Sequence, residues 1–233
     1  SVHPRTYHEA FSCDLLTRPE QRRIGLPATR PLVQRTWLAV GGTLLTARLA
    51  LERGLASHLA GGTHHAHPGF GSGFCIFNDC AVAARVLLGT EEMRRILIVD
   101  LDVHQGDGSA ACFQHDPRVT TLSVHAASKF PLRKVEGDID IPLADGTSDD
   151  NYLAAIADRL PDALDTIAPD LVLYNAGVDP HRDDRLVLDA CLRRRIPTAT
   201  VIGGGYNALA PLVQQHAPRW CAAAEQARLF DLP

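Results

Sequence analysis

One stretch constrains this chain more than any other: Ile96-Leu97-Ile98-Val99, an unbroken apolar run, is followed at once by Asp100-Leu101-Asp102-Val103-His104. A run rich in β-branched residues and lacking polar alternation suits a strand buried on both faces, the condition of strands in a parallel sheet. Parallel neighbours must be joined by long crossovers, usually helices. The rest of the chain supplies them, because apolar runs alternate with helix-like segments throughout. Further strands are expected near 56–60, 119–124, 171–175 and 198–202, with helices near 32–53, 109–114, 151–167, 183–194 and 209–228 and another opening at Asn78-Asp79. The first of these helices should stop at Gly54. Its internal Gly41-Gly42 pair costs about 1 kcal/mol per glycine relative to alanine, for which close packing is one reason. Pro161 is expected to kink or split the helix that contains it. The expected fold class is therefore α/β, a mostly parallel β-sheet with helices on both faces, and 233 residues suit a single domain.

Composition removes several classes of function. Apolar residues make up 45% and charged residues 21%, and no apolar run reaches the ~18 residues a membrane span needs. A net charge of -4 offers no basic footprint for a phosphate backbone, so direct nucleic-acid binding and membrane attachment are both disfavoured. The six cysteines have no C-x-x-C spacing, as reduced thiols in a cytoplasmic protein would not need it. The opening SVHPRTYHEAF has neither the basic start nor the apolar stretch of a signal peptide.

Four polar clusters each follow a strand-like run, so a parallel sheet would gather them at one edge, beyond the carboxyl ends of its strands. In D-L-D-V-H-Q-G-D-G, residues 100–108, an extended backbone points Asp100, Asp102 and His104 to one side. Carboxylate and imidazole suit Zn²⁺, and a catalytic zinc takes three protein ligands with a further position open. Asp179, at the turn ending L-V-L-Y-N-A-G-V-D-P-H (171–181), is the natural third ligand, with His181 a rival on chemistry alone. In the glycine-rich loop 61–79, His64 and His65 can take acid, base or electrostatic roles, whereas His67 reads as an ordinary histidine. V-I-G-G-G-Y-N (201–207) ends a strand in glycines and Tyr206, whose phenol could donate to a developing oxyanion.

Together the HHA loop with GFC and ND, the D-x-D-x-H-x-G-D-G segment, the A-G-x-D turn and the GGGY end, in that order, resemble the histone deacetylase family of the arginase/deacetylase superfamily. The resemblance runs from about residue 3 to 228, and FPLRK (130–134) and DGTSDDNYL (145–153) look most like its bacterial, class IV-like branch. It implies an arginase/deacetylase-like catalytic domain over 1–233, with zinc ligands Asp102, His104 and Asp179. It further implies that His65 is the general base, that His64 is mainly electrostatic and that Tyr206 polarises the acyl carbonyl. By the same resemblance Asp100 and Asp107 orient the paired histidines, Gly73, Phe74, Phe130 and Gly204 bind substrate, and a structural K⁺ sits near Asp100 and Ser123. The implied reaction is zinc-dependent hydrolysis, by metal-activated water, of an acetyl or other acyl group on lysine of a protein or peptide. An acylpolyamine or other small acylated amine is the alternative substrate, and an inactive acyl-lysine-binding homologue the alternative class.

The chain departs from that pattern in three places. Gln105 stands where many members have a second histidine, the family's opening strand is missing before Ser1, and the stretch after Asp179 is short, as a deletion or missing loop near 185–187 would make it. The missing strand would expose a sheet edge, and the shortened stretch would reshape the site beside the third ligand.

Overall fold

The computed structural model of the protein describes residues 2–90, 93–177, 185–204 and 209–232. The calls on Asp179, His181 and Tyr206 lie outside them. Six strands, β1 (Leu55–Ser57), β2 (Ile96–Asp100), β3 (Val119–Ala126), β4 (Ile139–Leu143), β5 (Leu171–Gly177) and β6 (Thr198–Gly203), form one sheet in the order β1-β6-β5-β2-β3-β4. Every pairing is parallel.

Alternation along β2 explains why its sequence is apolar without a break. Ile96 and Ile98 face helices α3 (Arg30–Arg53) and α4 (Asp79–Leu87), packing with Ala47, Ala81, Ala84 and Leu173. Leu97 and Val99 face the other way, onto Ile156, Leu160 and Leu164 of α6 (Asp149–Ile167) and Val187 and Leu188 of α7 (Arg185–Arg193). These four side chains are at most 1% exposed. At about 1.5–3 kcal/mol for each fully buried aliphatic side chain, the two-sided strand is a principal source of the sheet's stability. The remaining helices are α1 (Arg5–Ser12), α2 (Arg18–Ile24), α5 (Asp107–Phe113) and α8 (Leu209–Leu229). Among the described residues no helix is long and apolar enough to cross a membrane.

Several local expectations are refined. Gly54 ends α3 at φ 85° as expected. Only one glycine of the 41–42 pair is required by packing: a Cβ at Gly42 would lie 2.4 Å from the His58 ring, whereas Gly41 faces open space. Pro161 does not split α6, which runs as one helix of 19 residues. Burial of Tyr152, Ile156, Leu160 and Leu164 along one face outweighs the ~3 kcal/mol that an internal proline costs. Two helices and a strand lie beyond the sequence reading: α1, α2 and β4. The start of α2 is a capping box, with Glu20 accepting from the Thr17 backbone at 2.7 Å, and Thr-x-x-Glu was a legible signal for it. β4 is an edge strand and so tolerates Pro142.

Candidate active site

The carboxyl ends of β2, β5 and β6 meet the long loop between β1 and α4 that carries His64 and His65. Two residues at the start of α4 fix that loop. The buried Asp79 carboxylate accepts from the backbone of Gly62 (3.1 Å) and Thr63 (2.8 Å) and from the hydroxyls of Thr43 and Thr63 (both 2.6 Å). Asn78 caps α4 through its carbonyl, and its amide donates to the Ser109 hydroxyl at 3.0 Å and to the carbonyls of His64 and Ala66 at 3.4 and 3.3 Å. Below the loop lies Gly108, where a Cβ would meet the Ala66 carbonyl oxygen at 2.5 Å; a Cβ at Gly106 would meet the Asp100 carboxylate at 2.3 Å. The glycines of H-Q-G-D-G therefore let two loops lie against each other.

Two buried histidine–carboxylate pairs result. His64 Nδ1 is 2.6 Å from Asp100 Oδ2, and His65 Nδ1 is 2.6 Å from Asp107 Oδ1. A carboxylate only accepts, so in each ring Nδ1 carries the hydrogen and Nε2 is turned to the site. The Asp100 carboxylate is itself oriented, its Oδ1 accepting from the Asp102 backbone (3.1 Å) and from the Asn175 amide on β5 (2.9 Å). The His64 and His65 rings lie 4.0 Å apart, and their surroundings push them in opposite directions. Burial opposes charge on His64, but Asp100 prevails and raises it to about 9. Burial and then the neighbouring His64 lower His65 to about 4, against the pull of Asp107. Burial works to raise Asp107, yet the hydrogen bonds from His65 and His67 hold it down at about 2.

Asp102 and His104 stand beside these pairs. Asp102 Oδ1 accepts from the His104 backbone and lies 2.9 Å from His104 Nδ1, while His64 Nε2 is 4.0 Å away. Among the described residues Asp102 Oδ2 is buried without a hydrogen-bond partner, and a Cβ at Gly203 would come within 3.1 Å of it. A buried carboxylate oxygen left unsatisfied is costly, and a cation is what such an oxygen suits. Among the described residues no group of three or more His, Cys, Asp or Glu is placed to hold a metal.

His65, His104, Gly73, Phe74 and Phe130 line a cavity of about 410 Å³, to whose lining Arg22 and Arg23 also belong. Phe130 meets the His65 ring edge-on at 4.8 Å, and Phe74 is 50% exposed and sits at φ 65°. A left-handed backbone is unfavourable for an aromatic residue. It is held there by hydrogen bonds from Gly73 N to Arg23 O (3.2 Å) and from Phe74 N to Ile24 O (2.8 Å).

The structure thus gathers His64, His65, Asp100, Asp102, His104, Asp107, Gly73, Phe74 and Phe130. Gly204 follows β6 at φ 69° and is not among the lining residues of that cavity. Ser123 pairs with Asp100 across β3 and β2, but its hydroxyl is engaged by His125 Nδ1 at 3.0 Å. One residue read as ordinary belongs to the site: His67 Nε2 binds Asp107 Oδ2 at 2.8 Å while its ring stacks on Phe70. Its signal was available in the H-H-A-H spacing. Asn78 was read only as a helix cap and Asn175 was not singled out, because nothing in sequence tells where an amide points.

A further histidine supports the loop from behind. Buried His3 accepts the Asn78 backbone N–H at Nε2 (2.9 Å), so Nδ1 carries its hydrogen toward the Pro68 carbonyl at 3.0 Å. Protonation would set two donors against each other, and burial lowers His3 from 6.5 to about 4. Between those values the unfolded chain binds a proton that the folded chain refuses, so this contribution to stability is full above pH 6.5 and is lost as pH falls toward 4. The urea midpoint is expected to fall more steeply across that window in the wild type than in His3→Gln. Parallel curves would remove His3 from the account.

Comparison with known proteins places these features. Residues 2–219 match the model of the histone deacetylase domain. The chain is 52% identical over 221 residues to an uncharacterized protein of Picosynechococcus sp. (strain ATCC 27264 / PCC 7002 / PR-6), covering 88% of this chain and 74% of that one. It is 32% identical over 207 residues to the acetoin utilization protein AcuC of Staphylococcus aureus (strain MSSA476), covering 79% of this chain and 53% of AcuC. It is 32% identical over 189 residues to histone deacetylase 2 of Arabidopsis thaliana, covering 72% of this chain and 48% of that relative. The chain thus spans about half the length of the latter two.

Proposed function

The chain belongs to the histone deacetylase family, and from that premise we propose that it is a zinc-dependent amide hydrolase removing an acetyl or other acyl group from a lysine side chain of a protein or peptide. The observation that carries the reading is the pair of buried histidine–carboxylate dyads beside Asp102, whose Oδ2 has no partner, at a cavity walled by Gly73, Phe74 and Phe130. Carboxylate and imidazole donors fit zinc, and Asp102, His104 and Asp179 would hold it. When bound, the ion lowers the pKa of a water and polarises the acyl carbonyl.

The protein's own groups divide the remaining work. His65 lines the cavity and His64 does not, so His65 is the residue that takes a proton from water at Nε2 and later delivers it to the leaving amine. Asp107 keeps that nitrogen free by holding Nδ1–H. His64, fixed by Asp100, adds positive charge behind the reacting carbonyl. Tyr206 donates to the oxygen on which negative charge develops. The apolar walls fit the methylene stem of a lysine side chain.

Metal analysis joined to a screen of acetyl-lysine peptides, longer acyl-lysine peptides and an acetylpolyamine tests the reading. Zinc-dependent turnover of the peptides supports it, and turnover of the polyamine alone overturns it. Tyr206→Phe is expected to keep its zinc while kcat falls by about 10²-fold or more, the order for one lost oxyanion donor. An unchanged kcat would take Tyr206 out of the site.

A further inference from the structure

The channel opens into a cationic surroundings on a chain whose net charge is -4. Arg22 and Arg23, at the end of α2, line the cavity that contains His65 and His104. A second cavity of about 500 Å³, lined by Arg18, Gln21, Arg22, Gly25, Leu26 and Pro27, shares Arg22 and Gly25 with the first. The two cavities are therefore neighbours on the same basic helix. That helix is fixed to the channel wall, since the Arg23 and Ile24 carbonyls accept the Gly73 and Phe74 N–H groups and the Arg23 guanidinium stands 4.5 Å over the Phe70 ring.

Glu20, on the same helix, caps Thr17 and its charge acts on Arg23, but with Arg18, Arg22 and Arg23 beside it α2 stays net positive. Among the described residues Arg18, Arg22 and Arg23 have no ion pair. Arg133, three residues beyond Phe130 on the other wall, likewise has none among them. Exposed cations at a channel mouth steer a charged partner over roughly a Debye length, ~10 Å at 0.1 M salt. That reach takes in the residues flanking an inserted side chain.

We propose that the mouth selects acyl-lysine substrates whose flanking residues are acidic, with Arg22 and Arg23 as the specificity-determining residues. This rests on the deacylase reading and sharpens it. Carboxylates beside the acyl-lysine meet the guanidinium groups, whereas a lysine- or arginine-rich peptide or a polyamine brings like charge to the same place.

The test uses one set of acetyl-lysine peptides with Glu, Ala or Lys on both sides, together with acetylspermidine, at 50 and 300 mM NaCl on zinc-loaded protein. At low salt kcat/KM is expected to be at least about tenfold higher for the Glu-flanked than for the Lys-flanked peptide, with the ratio shrinking at high salt. Arg22→Glu with Arg23→Glu should reverse the order, and Arg22→Gln with Arg23→Gln should flatten it. Equal rates for all three peptides, a preference for Lys flanks, or an order unchanged in both double variants overturns the proposal. Fluorescence anisotropy with the same peptides separates it from the parent reading. If no peptide is turned over, the deacylase assignment fails, while tighter binding of the Glu-flanked peptide, lost in the Arg22→Glu, Arg23→Glu variant, still supports the basic mouth. Absence of that binding difference overturns the basic mouth as well.

Discussion

Asp102→Ala is expected to lose zinc and hydrolysis together. Asp102 is 1% exposed, one of its oxygens holds His104 through the backbone N–H and Nδ1, and the other has no partner among the described residues. Removing the carboxylate deletes one donor and releases the second, so the zinc content of the purified protein should fall from about one per chain to near zero. Turnover should fall to the uncatalysed rate. Stability should respond differently. An unsatisfied buried polar group costs about 1–3 kcal/mol, comparable to the hydrogen bonds given up with it, so metal-free Asp102→Ala should unfold within about 1 kcal/mol of the metal-free wild type. Elemental analysis, turnover and urea denaturation on the same preparations read the three quantities. Stoichiometric zinc in Asp102→Ala would refute the ligand assignment, whereas a large loss of stability in the metal-free protein would make Asp102 a structural residue.

The contrast between Asp102 and its neighbours marks how far sequence carries. The sheet was legible because burial on both faces leaves a mark in composition: Ile96 to Val99 are apolar at every position, and Leu171 to Leu173 open β5 in the same way. β4 left no such mark, since an edge strand needs neither continuous apolarity nor every backbone donor. At the site, residues that follow a strand directly were readable, because the strand end fixes where they go. His64 and His65 lie against Asp100 and Asp107, and His104 against Asp102, as expected for clusters gathered at one sheet edge. Harder to read were groups whose role depends on contact between distant segments. Asn175 reaches Asp100 across a strand pair, and His3 reaches Asn78 over 75 positions of sequence. The basic mouth is of the same kind. R-P-E-Q-R-R-I is an ordinary amphipathic helix until its carbonyls are found hydrogen-bonded to Gly73 and Phe74.

His65 and Asp107 give the other large effect, and the pair can be tested as a pair. His65→Ala removes the group that moves the proton, for which a loss of about 10³-fold in kcat is expected, within the 10²–10⁴-fold range of general acid–base catalysis. KM should change much less than kcat, because Gly73, Phe74 and Phe130 still line the cavity when the imidazole is gone. Asp107→Ala leaves the imidazole in place but frees its Nδ1 and also frees His67, so the ring can turn and take the wrong tautomer. Its cost should be smaller, about 10²-fold in kcat. The decisive variant is the double one. If Asp107 acts through His65, then His65→Ala with Asp107→Ala is no slower than His65→Ala alone, since the carboxylate has nothing left to orient. Were the two to act independently, their losses would multiply to about 10⁵-fold. Zinc content near one per chain in all three variants would tie the effect to proton transfer rather than to metal loss. A double variant as slow as the product of the singles would give Asp107 a catalytic contribution of its own, which its place behind the ring, 2.6 Å from Nδ1 and on the side away from the cavity, argues against.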